Sequence, residues 1–105
     1  MRRAAMMPPY GRLAGIIVSG PDEPKAWETA RALARNPGAL RAAHAELFGP
    51  APAPIARVRG RHRIRLLVRA PKGVALQPAL RDWLAAVPVP ANVRVAVDVD
   101  PQSFF

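Results

Sequence analysis

Arg61-His62-Arg63-Ile64-Arg65-Leu66-Leu67-Val68-Arg69 is the stretch whose reading decides the fold. His62, Ile64, Leu66 and Val68 alternate with Arg61, Arg63, Arg65 and Leu67. A period of two is the signature of a strand with two unlike faces, because successive side chains of an extended backbone point to opposite sides. One face is aliphatic and seeks a core. The other is a row of guanidinium groups and seeks water or an anion. Pro71-Lys72-Gly73 closes the strand, and Gly60 precedes it as a turn or bulge. Residues 55–69 therefore read as two strands, or as one long bent strand.

Upstream lies Pro50-Ala51-Pro52-Ala53-Pro54. Prolines at alternate positions remove every second backbone N–H, so this stretch is a sheet edge or a polyproline-type connector, never a central strand. Glu46-Leu47-Phe48 leads into it through Gly49. Further upstream, Asp22 is placed to cap a helix that starts at Glu23, with Pro24 in its first turn. Trp27, Ala30, Leu33 and Ala34 are expected to share a face. Pro37-Gly38 breaks this helix, and Ala39 to His44 add a further turn or two. Leu13-Ala14-Gly15-Ile16-Ile17-Val18 is a near-continuous apolar run, which predicts a central strand buried on both faces. Residues 1–12 read as an extended entry segment, because Pro8-Pro9 fixes two φ angles.

Downstream, Leu76, Leu80, Trp83, Leu84 and Val87 recur at helical spacing and form one apolar stripe, ended by Pro88 and Pro90. Val93, Val95, Val97 and Val99 then alternate with Arg94, Ala96, Asp98 and Asp100, predicting a half-buried strand that stops at Pro101. The order is β-α-β-β-α-β. This predicts an α+β, ferredoxin-like split β-α-β-β-α-β sandwich: a four-stranded sheet with two helices on one face and the arginine face open.

The charge balance narrows the function. Sixteen basic residues, fourteen of them arginine, oppose seven acidic ones in 105 residues, for a formal net charge of +9. A GC-rich genome accounts for arginine over lysine but not for the excess of bases over acids. A polyanionic partner is therefore expected. Six of the arginines fall within Arg57–Arg69, and no acid occurs from Phe48 to Arg81. Arginine binds phosphates and carboxylates bidentately, so Arg57, Arg59, Arg61, Arg63, Arg65, Arg69 and Lys72 form the candidate binding set. The competing account is a solvated face whose charges deter edge-to-edge aggregation. The basic window holds no Phe, Tyr or Trp, so base stacking is disfavoured and contact with the backbone of a nucleic acid is what remains.

Other chemistry is sparse. Cysteine is absent, which removes disulfides, thiolate catalysis and cysteine-held metal sites and accords with a cytoplasmic chain. No apolar run approaches the length of a membrane span. Arg2-Arg3 is followed by prolines rather than by a secretory core, so a signal peptide is not expected. Asp98 and Asp100 lack further oxygen ligands and read as salt-bridging or strand-ending residues. His44 reads as a loop residue, Trp27 and Trp83 as core anchors, and Phe104-Phe105 as an apolar tail that packs somewhere. Asn36 and Asn92 are unsuitably placed for an acylphosphatase-like site. No catalytic residue and no metal ligand is predicted.

Met7-Pro8-Pro9-Tyr10-Gly11-Arg12-Leu13-Ala14, Gly49-Pro50-Ala51-Pro52-Ala53-Pro54-Ile55, Arg59-Gly60-Arg61-His62-Arg63 and Asp98-Val99-Asp100-Pro101, taken in that order, resemble the C-terminal end of the primosomal protein N′ (PriA) family of bacterial replication-restart helicases. The resemblance covers essentially the whole chain. It implies that residues 1–12 are the end of a helicase lobe and that residues 13–105 are a C-terminal domain for docking DNA and protein partners. It also implies a parent that is an ATP-dependent 3′–5′ DNA helicase, using ATP, Mg and Zn. Neither a G-x-x-x-x-G-K-[ST] loop nor a cysteine is present here, so this chain is expected to hold no cofactor and to unwind nothing alone. The partners so implied are forked and single-stranded DNA, the acidic Phe-terminated tail of single-stranded DNA-binding protein, other primosome proteins and the helicase lobes of the same polypeptide, with no membrane. Within that family the Gly60–Arg65 segment contributes to the tail pocket, which makes Arg61 and Arg65 the implied carboxylate ligands. The family commonly has an aromatic where His62 stands and often Gln where Arg65 stands. The alternative expectation is a stand-alone basic RNA- or ribosome-associated protein whose likeness to the family is a coincidence of composition.

Overall fold

The computed structural model describes residues 12–71 and 73–99. The expected entry segment lies outside the described residues except for Arg12, which opens the first strand. The elements run β1 (Arg12–Gly20), α1 (Glu23–Arg35), α2 (Gly38–Ala42), β2 (Glu46–Val58), β3 (Arg61–Ala70), α3 (Leu76–Ala85) and β4 (Arg94–Val99). The strands form one sheet in the order β2-β3-β1-β4, and every neighbouring pair is antiparallel. This is the α+β arrangement expected from the sequence. The order is compatible with the ferredoxin-like layout, to which the chain adds the short helix α2.

The helices cover one face of the sheet. Ala14, Ile16 and Val18 of β1 and Ile64, Leu66, Val68 and Ala70 of β3 are buried there. Ala26, Ala30 and Leu33 of α1, Leu40 of α2, and Leu76, Ala79, Leu80 and Trp83 of α3 meet them in a single cluster. Trp83 is fully buried, and its indole Nε1–H donates to the Leu33 carbonyl at 2.9 Å. That bond satisfies the one polar group of the ring and ties α3 to α1. Of the apolar stripe expected for α3, Leu76, Leu80 and Trp83 are buried and Leu84 is partly so, while Val87 is buried just past the helix end.

Local signals explain where α1 begins. The Asp22 side chain accepts from the Lys25 backbone N–H at 3.2 Å, and Glu23 sits at the positive end of the helix. The expected face of α1 needs correction. Its buried residues are Ala26, Thr29, Ala30 and Leu33, which places Trp27 on the flank, half-buried, with the Arg31 guanidinium 5.3 Å from its ring centroid. The small alanines let the helix lie close to the sheet, and the bulky indole is displaced to the rim.

β1 is central, as expected, but it is not buried equally on both faces. Its helix side is closed, while Leu13, Ile17 and Ser19 on the other side are half-exposed. The proline-rich tract resolves as an edge, not a connector. It belongs to β2, which begins at Glu46 and pairs only with β3. Irregularities between Phe48 and Ala51 and between Pro52 and Arg57 absorb the prolines' missing donors. At the first of these, Gly49 has φ +103°, and the Gly49–Pro50 peptide is cis. A Cβ on Gly49 would stand 2.8 Å from the Arg65 carbonyl oxygen, so only glycine allows β2 to lie against β3 there.

Candidate nucleic-acid interface

Register fixes what stands on the open face. On β3 the outward residues are Arg61, Arg63, Arg65, Leu67 and Arg69. On β1 they are Leu13, Gly15, Ile17 and Ser19. β4 adds Arg94, Ala96 and Asp98, and β2 adds Glu46, Phe48, Ala51 and Val58. Three cross-sheet rows follow from the pairing. Arg63, Ser19 and Arg94 stand side by side, then Arg65, Ile17 and Ala96, then Leu67, Gly15 and Asp98. The arginine row of β3 is thus on the face opposite the helices, as its periodicity predicts.

The guanidinium groups are not equivalent. Arg69 is neutralised: it donates through Nε to Glu46 Oε1 at 3.0 Å and forms an ion pair with the same carboxylate, while its Cζ lies 5.4 Å from the Phe48 ring centroid. Arg69, a member of the expected binding set, thus has an acidic partner on the neighbouring strand. Arg61 and Arg63 are held by backbone carbonyls instead. Arg61 Nη2 donates to the Ser19 carbonyl at 2.9 Å and to the Asn92 carbonyl at 3.3 Å, with the Ser19 hydroxyl at 3.5 Å. Arg63 Nη1 donates to the Ile55 carbonyl at 3.0 Å. A carbonyl orients a cation without cancelling its charge, so both groups are fixed in place and still positive. Arg65 is half-exposed on the same face.

The hairpin end carries the remaining arginines. Val58 pairs with Arg61, leaving Arg59-Gly60 as a two-residue turn with φ of 52° and 77°. Positive φ at both central positions is the type I′ geometry that matches the twist of two antiparallel strands. Arg59 is exposed there, in a conformation that Asn or Gly adopts more readily. Arg57 is exposed on β2, opposite His62. His62 turns to the helix side, where its Nδ1 lies 3.9 Å from Glu23 Oε2. Lys72, the last member of the expected set, lies outside the described residues, as do Asp100, Phe104 and Phe105. Asp98 is exposed on the open face, and His44 occupies a turn with φ 62°, as expected of a loop residue.

The sequence reading missed Arg94. It belongs to the alternating run that predicts β4, but nothing in one strand's pattern says which strand lies beside it. Only the β1–β4 pairing brings it next to Ser19 and so into line with Arg63.

A model of the primosomal protein N C-terminal domain family matches residues 3–102. This chain belongs to that family. The match removes the alternative in which the likeness is an accident of arginine, proline and alanine content. The chain is 35% identical to the replication restart protein PriA of Rickettsia felis over 105 residues, which are 100% of this chain and 16% of that protein. It is 38% identical to a probable replication restart protein PriA of Deinococcus radiodurans over 108 residues, 98% of this chain and 11% of that protein. The chain thus spans about a sixth or less of these curated relatives. Among solved structures, a hydantoinase/carbamoylase family amidase from Burkholderia ambifaria is similar to it, with a TM-score of 0.52 at 22% identity over 84% of this chain and 27% of that one. That likeness is one of fold alone. Among the described residues no helix is long and apolar enough to cross a membrane, and no cluster of His, Cys, Asp or Glu could hold a metal ion.

Proposed function

We propose that this chain is the accessory C-terminal domain of a bacterial replication-restart DNA helicase, and that it helps to bind forked or single-stranded DNA and the acidic tail of single-stranded DNA-binding protein during primosome assembly. The observation that carries this reading is the arginine row of β3, which stands on the face of the sheet that none of the described helices covers. Repulsion between like charges along one strand face does not by itself favour folding, so an anion outside the molecule accords with the row. Arg61 and Arg63 are oriented by carbonyls and so bind with little further loss of side-chain freedom. Family membership supports the setting, since the relatives are named replication restart proteins.

The same reading makes the parent polypeptide the source of ATP, Mg and Zn chemistry. This domain contributes grip and partner choice rather than catalysis. Replacing Arg61 and Arg65 together with alanine tests it. Affinity for forked DNA at low salt should fall about tenfold or more, the size of two charge-assisted contacts. A melting curve checks that the double variant is folded, because Arg61 also braces Ser19 and Asn92. A folded double variant with unchanged affinity for both fork DNA and the acidic tail contradicts the assignment.

A further inference from the structure

The open face is electrostatically lopsided. Its rows at the hairpin end, Arg63–Ser19–Arg94 and Arg65–Ile17–Ala96, contain no acid. Arg59 adjoins that end through the β2–β3 turn, whereas Arg57, paired with His62, belongs to the helix-side face. The acids of the open face lie toward the other end, where Asp98 stands in the Leu67–Gly15 row and Glu46 engages Arg69. Asp22 and Glu23 lie near the hairpin end but are occupied elsewhere: Asp22 caps α1, and Glu23 faces His62 on the helix-covered side.

Resting on the DNA-binding reading above, we propose that Arg94 completes a phosphate-binding track across the hairpin end of the sheet. The track is formed by Arg94 of β4, Arg61 and Arg63 of β3 and the Ser19 hydroxyl of β1, and it takes the sugar–phosphate backbone of a single nucleic-acid strand. Neighbouring strands are about 4.8 Å apart, so the Arg94 and Arg63 backbones stand roughly 10 Å apart with Ser19 between them. The Arg61 side chain bridges that gap, since its Nη2 reaches both Ser19 and Asn92, two residues before Arg94. These contacts occupy Nη2 alone, and the Nε and Nη1 donors of Arg61 bond no described residue. Arg94 itself is exposed. The end is therefore a line of positive donors that runs across the strands rather than along one of them.

The occupant follows from what the track lacks. Among the described residues it offers no aromatic ring on which a base could stack, since His62 faces the helices and Phe48 sits beside Arg69 at the far end. Of the aliphatic residues on the open face, Leu13 and Leu67 lie toward that far end, while Ile17 and Val58 stand beside the track. A repeating phosphate backbone needs only spaced cations.

The test measures binding of a fluorescent oligothymidylate to the full chain over a salt series, with Arg94→Ala compared against Arg81→Ala. Arg81 is exposed on α3, on the helix side, and its loss changes net charge equally. Arg94→Ala should weaken binding roughly fivefold to tenfold and reduce the magnitude of the salt slope by about 0.7, while Arg81→Ala leaves both nearly unchanged. Equal effects of the two variants would show that only net charge matters, and the track would be rejected while DNA binding stands. Arg94-dependent capture of a polyglutamate peptide with no binding of the oligonucleotide would replace the occupant by an acidic protein segment. Absence of binding to either probe at low salt would overturn the track together with the DNA-binding reading beneath it.

Discussion

Leu66 and Leu67 are adjacent in the chain and lie on opposite sides of the sheet. Leu66 is fully buried among Ile16, Val68 and the helices, whereas Leu67 is half-exposed between Gly15 and Phe48. The two faces they represent are built on different principles. The covered face is closed by aliphatic side chains from every helix, and its one indole N–H is satisfied. The open face mixes arginines with a few aliphatics, and Arg61, Arg63 and Arg69 are held there by carbonyls or by Glu46. Stability resides in the first face. The proposed recognition belongs to the second, which carries the arginine row of β3.

The sharpest way to break this contrast is to truncate both leucines. Leu66→Ala should cost about 3–4 kcal/mol, because the lost transfer energy is joined by a cavity the packed core cannot refill. Leu67→Ala should cost no more than about 1 kcal/mol, since solvent already reaches that side chain. Chemical denaturation of the two variants measures both values. Similar losses would mean that the open face is covered in solution and that the two-face account is wrong.

Gly49→Ala probes the seam between the faces. The added methyl would meet the β3 backbone at Arg65 and Leu66 in a left-handed conformation, so the variant should lose about 2–3 kcal/mol and loosen β2 from the sheet. Amide exchange should then rise along β2 and spare β1. A smaller effect, of opposite sign, is expected at the hairpin. Arg59→Asn should raise stability by about 0.5–1 kcal/mol, because Asn tolerates the positive φ of the turn. The same change should weaken binding to DNA at low salt. A variant that gained stability and kept full affinity would remove Arg59 from the binding set and leave the turn as a purely structural feature.

The elements themselves were readable from the chain because their periodicities are strong. The alternation of β3 and β4, the helical stripe ending at Trp83 and the cap at Asp22 each state a local preference that the core then rewards. What escaped the sequence depended on neighbours. The proline tract reads equally as connector or edge until its pairing with β3 is seen. That Arg69 has Glu46 beside it emerges only from the register. Trp27 packs against the core as an anchor would, but only half-buried, because the alanines of α1 take the inner face. Arg94 gains meaning only from β1, which separates it from Arg63. Within one strand, spacing is enough to sort residues by face. Which charges end up paired, and which remain available, is decided between strands, and no single segment carries that information.

The account stands or falls on whether the acid-free end of the open face engages phosphates. Titration of a single-stranded oligonucleotide with the full chain, repeated across a range of salt concentrations, tests this most directly. Three or four engaged arginines predict a slope of about −2 to −3 in the logarithm of affinity against the logarithm of salt. A slope near zero, or affinity that persists at high salt, would contradict it.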